Sequence, residues 1–360
     1  MNVMKTKKLN KTAKTNLTTY GIAFAAFAVA QLMIATGNMS SLMKGLLVPL
    51  CTYAILAVSL NLTVGILGEL SLGHAGFMCI GAFSSAFFSV CTADKIDSDI
   101  IRFIIAIIIG AVSAGVLGFL IGIPVLRLRG DYLAIVTLAF GEIIKNIINA
   151  LYVGKDSKGF HFSFKDTSSL NMKVDGKVIV NGAQGISGTP NDSTFLIGFI
   201  LLLITLFIVL NMMHSRTGRA VMAIRDNRIA AESIGIPVTK YKLLAFSVSA
   251  ALAGVAGVLY AHNLSTLTAL PKNFGYNMSI MILVFVVLGG IGNMWGSMVV
   301  AAVILTLLPE LLRGLNDYRM LIYAIVLIVM MLFNWSPKAK EIRSRLIPKR
   351  FSNKQAKEVQ

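Results

Sequence analysis

The sequence predicts an all-α polytopic membrane protein with about ten transmembrane helices and both termini on the cytoplasmic side. Only 14% of the 360 residues are charged and 56% are hydrophobic, whereas a soluble domain carries about 25% charged residues. The mean hydropathy is +0.77. Several apolar runs reach the roughly 20 residues that a helix needs to cross a bilayer. These observations together exclude an ordinary soluble domain.

The basic residues between the apolar runs indicate how the chain is oriented. An even number of spans places both ends on one side, and most Lys and Arg residues fall in four segments that the positive-inside rule assigns to the cytoplasm. The net charge of +17 is therefore a topology signal and does not indicate nucleic-acid binding. The four segments are 1–20, 127–130, 214–242 and 336–360. The ten candidate spans are 20–36, 46–66, 70–92, 101–124, 132–152, 194–213, 243–262, 278–292, 295–311 and 319–335.

Three regions follow from this pattern. A basic cytoplasmic N-terminus (1–20) leads into a transmembrane domain (21–335), whose first helix we expect to stay uncleaved because no A-x-A-like site follows it. A basic tail (336–360) ends the chain, and we expect anionic lipid headgroups to hold it near the membrane. Residues 153–193 form the largest outer segment, which is either a docking surface for a solute-binding protein or simply decoration.

The sequence carries no motif of catalysis. No GxxxxGK[ST] loop is present, and no polar segment is large enough for an ATPase or kinase domain. We therefore predict no catalytic residue and no cofactor, and any ATP must be hydrolysed by a partner. The three cysteines, Cys51, Cys79 and Cys91, lie in or beside apolar runs without CxxC spacing. They are expected to be small buried thiols, so no metal site is predicted.

The second and third spans are joined by the glycine-rich stretch Gly65–Phe77. Irregular backbone at membrane depth is tolerated only against protein or a water-filled cavity. The stretch is therefore a candidate wall of a translocation path, with Gly73 and His74 at its centre. The alternative is a tight inner turn whose small residues serve helix packing. A second glycine-rich turn, Gly289–Gly296, raises the possibility of an internal repeat.

The fifth span contains the ionisable residues Glu142 and Lys145, three positions apart and thus on one helix face. Ionisable groups inside a span are costly and point to function. Glu142 would be a titrating relay in a proton-coupled carrier. A satisfied pair lining a hydrated vestibule needs no proton coupling, and Lys145 favours the ionised carboxylate. Elsewhere, small residues spaced by four predict close helix packing: Gly110, Ala114, Gly118 and Gly122 in the fourth span, and Ala253, Gly257 and Ala261 in the seventh.

The polar stretch from His214 to Lys242 is too long for a turn and too short for a domain. Thr217–Ile234 is rich in residues that helices tolerate, and Gly235 with Pro237 provides a stop. Val221, Ile224 and Arg225 fall at helical spacing, which gives a short helix one apolar edge and charged flanks. Such a helix is suited to dock a soluble partner, although a solvated interhelical loop would show the same pattern.

One set of segments carries a family resemblance: NLTVGILGELSLGHAGF (61–77), RLRGDYLAIVTLAFGEII (127–144), NGAQGISGTP (181–190), the block 218–262, VVLGGIGNMWG (286–296), and LLPELLR (307–313) followed by YRMLIYAIVLIVMMLF (318–333). Together they resemble the LivM-type permease subunit of branched-chain amino-acid ABC importers. The resemblance covers most of residues 45–335, and RLRGDYLAIVTL together with the Gly218–His262 block makes it specific.

The resemblance implies a non-catalytic subunit of the cytoplasmic membrane. It implies as partners a homologous LivH-type permease, two cytoplasmic ABC ATPases and an extracytoplasmic solute-binding protein. It also implies an ATPase-coupling loop in 214–242, carried by Arg225, Asp226, Asn227, Ala230, Ala231, Glu232 and Gly235. Related permeases carry urea, amides or aromatic acids, so those solutes stay open, as does an ion-coupled carrier that uses Glu142.

Overall fold

Seven helical spans in the computed structural model are long and apolar enough to cross a membrane. The structure describes residues 41–93, 96, 98–128, 130–156, 159–172 and 176–302, with isolated positions at 21, 27, 31, 32, 34, 36, 325 and 328. The spanning helices are α1 (Ser41–Asn61), α2 (His74–Thr92), α3 (Asp99–Val125), α4 (Asp131–Ala150), α5 (Phe195–His214), α8 (Val238–Ala261), and the pair α9 (Pro271–Phe274) and α10 (Tyr276–Gly289).

The seven spans correspond to seven of the ten predicted spans. The candidates 20–36 and 319–335 fall almost wholly outside the described residues, and 295–311 is described only by α11 (Met294–Ala302). The count of ten and the cytoplasmic termini stay predictions. The third span begins at His74, four residues later than expected, because residues 68–73 are not helical.

Helix α8 lies at the centre of the bundle and packs most extensively against α2 and α3. The predicted stripe of small residues on α3 is buried along its length. A Cβ atom added to Gly118 would lie 2.4 Å from the Cβ of Ala250, and one added to Gly81 would lie 2.3 Å from the carbonyl oxygen of Gly254. These approaches require glycine, so the stripes serve helix packing as predicted. The opposite face of α3 is exposed and apolar, at Ile100, Ile104, Ile108, Val112 and Val116.

Residues 152–187 form four strands of a five-stranded antiparallel sheet, whose fifth strand is Thr266–Leu267, so the all-α prediction is wrong there. Its spatial order is β2-β1-β3-β4-β5. Tyr152 in β1 pairs with Ser163 in β2 on one side and with Asn181 in β3 on the other. The strands are β1 (Tyr152–Asp156), β2 (Gly159–Ser163), β3 (Lys177–Asn181), β4 (Ile186–Ser187) and β5 (Thr266–Leu267). Because β5 follows α8 in the chain, the sheet joins segments that are far apart in sequence.

The polar stretch at 214–242 forms two short helices where the sequence suggested one. Helix α6 (Arg216–Asp226) ends at Asn227, whose side chain then accepts a hydrogen bond from the backbone of Ala230 (3.1 Å) and caps α7 (Arg228–Ser233). Asparagine is among the preferred N-cap residues, and this cap divides the helix. The predicted apolar edge is confirmed, since Val221 and Ile224 are buried.

Candidate translocation and coupling site

The chain between α1 and α2 departs from regular α-helix over residues 62–73. Residues Leu62–Leu67 form a buried π-helical turn, which ends at Gly68 in a left-handed conformation (φ 77°). Residues 69–73 then continue without helical structure until α2 begins at His74. We call residues 62–73 the break. Single π-turns within helices often mark functional sites.

Hydrogen bonds connect the break to the middle of α8. Ser249 lies eleven residues after the start of α8, or about 16 Å along its axis, and therefore near the middle of that helix. Its hydroxyl accepts a hydrogen bond from Thr63 (2.7 Å), and Nε2 of His74 lies 3.0 Å from the Ser59 hydroxyl and 3.4 Å from that of Ser249. Helix α2 consequently begins beside the middle of α8.

Two hydrogen bonds seat the outer part of the break against neighbouring spans. The backbone N–H of Leu72 donates to the Thr137 hydroxyl of α4 (2.9 Å), and that of Ala75 donates to the Ser279 hydroxyl of α10 (3.2 Å). Nδ1 of His74 and the Ser71 hydroxyl are buried, and neither has a hydrogen-bond partner among the described residues. The predicted path residues Gly73 and His74 therefore lie among polar groups contributed by α1, α4, α8 and α10.

The two glycine-rich turns of the sequence meet in space. A Cβ atom added to Gly65 would lie 2.5 Å from the backbone nitrogen of Gly292. Asn61 connects the same two turns, since its side chain accepts a hydrogen bond from Gly292 N (2.8 Å) and donates one to the Ser297 hydroxyl (2.8 Å). Glycine is needed at position 65 because the backbones touch.

The polar helices contact the break directly. Nη1 of Arg225 in α6 donates to the carbonyl oxygen of Gly65 (2.9 Å), while Nε and Nη2 bind Asp226 (3.0 and 2.9 Å). The aliphatic stem of Arg225 crosses Gly68 so closely that a Cβ there would lie 2.5 Å from Cγ. The sequence analysis singled out both segments, but nothing in the sequence places them together.

A second contact from the same side was missed by the sequence analysis. Lys242, near the start of α8, forms an ion pair with Glu69 in the break, and both side chains are largely buried. The two residues are 173 positions apart. An unpaired charge at such a depth would be costly, and that cost explains the pairing.

Glu142 and Lys145 form the predicted ion pair, and Lys145 is buried. The other carboxylate oxygen of Glu142 accepts a hydrogen bond from the backbone N–H of Tyr276 (2.7 Å), at the start of α10. A carboxylate is favourable at a helix N-terminus. Both oxygens are thus engaged, as expected for a satisfied pair joining α4 to α10.

The remaining coupling candidates differ in their surroundings. Ala231 is buried in a small apolar cluster with Ile224 and Val238, whereas Glu232 pairs with Arg228 (2.9 Å) at the surface. Gly235 takes a positive φ of 84° in open space. Ile229, which the sequence analysis did not single out, and Ile234 are 80% and 74% exposed beside these residues.

Comparison with known proteins identifies the family. The family model of the branched-chain amino acid transport system permease component matches residues 42–332. The chain belongs to this family. It is 35% identical to the high-affinity branched-chain amino acid transport permease protein LivM of Salmonella typhimurium over 79% of the chain and 67% of the relative, and equally to that of Escherichia coli. The LivM-named protein of Methanocaldococcus jannaschii is 25% identical over 67% of the chain and 73% of the relative. No solved structure matches the chain.

Membership in this family confirms the resemblance to LivM-type permeases and favours the transport role over an ion-coupled carrier. The chain is also 24% identical to the LivH permease of Salmonella typhimurium, over 69% of the chain and 78% of the relative. The permease is therefore an integral membrane component of a transport system. The break, the second glycine-rich turn and helices α6 and α7 form one contiguous region of it.

Proposed function

We propose that this permease is a membrane subunit of an ABC importer that carries branched-chain amino acids across the cytoplasmic membrane. It would pair with a LivH-type permease, two cytoplasmic ATPases and an extracytoplasmic solute-binding protein. The relatives named LivM and LivH support the solute and the paired permease. The observation that carries the proposal is the contact between the polar helices and the break, because it connects a docking surface to the membrane interior.

The segment 214–242 would dock the ATPases through α6 and α7. Ile229 and Ile234 form an exposed apolar edge beside Glu232 and Gly235. Burial of such side chains at a protein interface contributes favourably to association. Ala230 and Ala231 lie within α7, and the Asn227 cap determines where α7 begins. Arg225 contacts the break, and Asp226 holds its guanidinium.

The path of the solute would pass the break at Gly73 and His74, where α2 begins beside the middle of α8. Glu142 and Lys145 would form a polar wall that joins α4 to α10. A proton relay is disfavoured because Lys145 and the Tyr276 backbone occupy both carboxylate oxygens.

Reconstitution tests the proposal. The permease, its candidate partner permease, the ATPases and the binding protein would be placed in proteoliposomes, and uptake of labelled leucine measured with and without trapped ATP. We expect uptake that requires ATP, survives a protonophore and is competed by isoleucine and valine. Uptake that is driven by a proton gradient without ATP would reject the proposal. If only urea, short amides or aromatic acids compete, the protein is still an importer, but its solute is not a branched-chain amino acid.

The docking surface has its own test. Ile229→Asp is expected to reduce co-purification of the ATPases at least tenfold, because a buried charge would replace an apolar contact. Leu128→Asp is the control, since Leu128 is 37% exposed in the turn between α3 and α4, which the sequence also assigns to the cytoplasm. Equal co-purification by the two variants would move the docking surface away from α7.

A further inference from the structure

The contact between Arg225 and the break has a geometry that suggests a defined mechanical role. The carbonyl groups at the end of a helical turn lack donors within the helix. Gly65 lies in the last turn before Gly68, and Nη1 of Arg225 supplies the missing donor (2.9 Å). The same guanidinium binds Asp226 through Nε and Nη2. Arg225 is therefore held by its own helix and holds the break in turn.

Gly68 makes this arrangement possible. It takes a positive φ of 77°, and a Cβ atom there would lie 2.5 Å from Cγ of Arg225. The arginine stem thus lies flat on the backbone at the point where the π-helical turn ends. Any rigid movement of α6 must either carry the break along or release the Gly65 carbonyl.

We propose that Arg225 is a positioning residue that transmits movement of α6 to the break and thereby couples ATP hydrolysis to solute movement. The inference rests on the proposed function. In this mechanism, closure of the ATPases displaces α6, and Arg225 shifts residues 62–68. Residues 62–68 then shift relative to Gly73 and His74, the predicted path residues at the start of α2. Solute contact is not required of Arg225.

The first test measures coupling in the reconstituted importer. Arg225→Ala is expected to assemble with the ATPases and to keep a basal ATP hydrolysis rate within twofold of the unmodified protein. Leucine uptake, and the stimulation of ATP hydrolysis by the loaded binding protein, should both fall at least tenfold. Arg225→Lys should recover part of the uptake, because one amine can reach one acceptor but cannot bind Asp226 and Gly65 as a fork.

Arg219→Ala is the matched control. Arg219 lies in the same helix and also donates to a backbone carbonyl, that of His214 (3.0 Å), without touching the break. We expect its uptake per hydrolysed ATP to be unchanged. A parallel loss of assembly, hydrolysis and uptake in Arg225→Ala would indicate a merely structural role and overturn the inference. An unchanged ratio of leucine uptake to ATP hydrolysis, which we call the coupling ratio, would overturn it as well.

The second test disturbs the same contact from the other side. Gly68→Ala should displace the Arg225 side chain and lower the coupling ratio as Arg225→Ala does. The double variant should be no worse than Arg225→Ala alone. Gly188→Ala controls for backbone strain, because Gly188 has a similar φ of 79° and open space around it. Additive losses in the double variant would contradict a shared contact.

The proposed function and the role of Arg225 can be rejected separately. If the unmodified importer shows no ATP-dependent uptake, the proposed function is rejected and the coupling ratio is undefined. If it transports leucine with ATP and Arg225→Ala retains the same coupling ratio, only the role of Arg225 is rejected.

Discussion

The two ends of the helical bundle each contain a buried ion pair, but they are held together in different ways. At the end that carries α6 and α7, Lys242 pairs with Glu69 in a segment that has lost its regular helical hydrogen bonds. At the opposite end, Arg102 of α3 pairs with Asp192 (3.3 Å), which lies in the segment between β4 and α5. We refer to these as the inner end and the outer end.

The outer end is reinforced by backbone hydrogen bonds. Gly188 N donates to the carbonyl oxygen of Ser265 (3.0 Å) and Ser193 N to that of His262 (3.4 Å), next to the ladder between β4 and β5. The break at the inner end is joined to α6 and α8 through Arg225 and Lys242. Rotation of a few side chains can separate the break from α6 and α8. Opening the outer end would instead require breaking the backbone hydrogen bonds between β4 and β5. Segments with few backbone bonds open more readily.

The largest expected effect comes from Lys242→Ala. The substitution leaves Glu69 largely buried without its counter-charge, and breaking a buried pair in this way costs about 4 kcal/mol. Unfolding can be followed in detergent with a thiol-reactive dye, because Cys51 and Cys79 are buried and unmodified. The double variant Lys242→Met with Glu69→Gln should recover most of the stability. If Lys242→Ala has a Tm near that of the unmodified protein, the pair of Lys242 and Glu69 does not stabilise the inner end.

Arg102→Ala should cost somewhat less, about 3 kcal/mol. Asp192 would lose its buried partner, but Nε of Arg102 is already without a hydrogen bond among the described residues. We expect a lower Tm with unchanged uptake per folded molecule, because the outer ladder persists. Asp99→Ala is the control, since Asp99 is 71% exposed and contacts the same arginine. Loss of coupling in Arg102→Ala at normal stability would show that the outer end also moves.

The contrast between the two ends also shows what the sequence can predict. Hydropathy located seven spans and the small-residue stripes, because both depend on local composition. The density of basic residues and the glycine content singled out the stretches 214–242 and 65–77 individually. Their assembly depends on pairs such as Glu69 with Lys242 and Gly65 with Arg225, which are more than 150 residues apart. A single sequence carries no signal for such pairs.

The outer sheet was missed for a related reason. Strands of two to five residues, one of them beyond α8, have too little periodicity to distinguish them from a polar loop. The exposed Ile229 was overlooked because an isolated apolar residue in a polar segment is ordinary in sequence. Only its 80% exposure distinguishes it.

Glu142→Gln should have an intermediate effect, about 2 kcal/mol. Glutamine can still accept the hydrogen bond of Tyr276, but buried Lys145 loses its counter-charge. Uptake by proteoliposomes with trapped ATP should continue and stay insensitive to a protonophore. The double variant Glu142→Gln with Lys145→Met should restore stability. Abolished uptake in Glu142→Gln at normal Tm would revive the proton relay.

The smallest effect, about 1 kcal/mol, is expected for Thr137→Val, which removes the acceptor of the Leu72 N–H at the outer end of the break. Thr52→Val is the control, since buried Thr52 bonds only to Val48 of its own helix among the described residues. If the inner part of the break moves against a fixed outer part, Thr137→Val should lower Tm slightly and leave the coupling ratio unchanged. If it uncouples transport as strongly as Arg225→Ala, the break moves as one body from Leu62 to Gly73. The boundary between the mobile and the fixed region would then lie at His74.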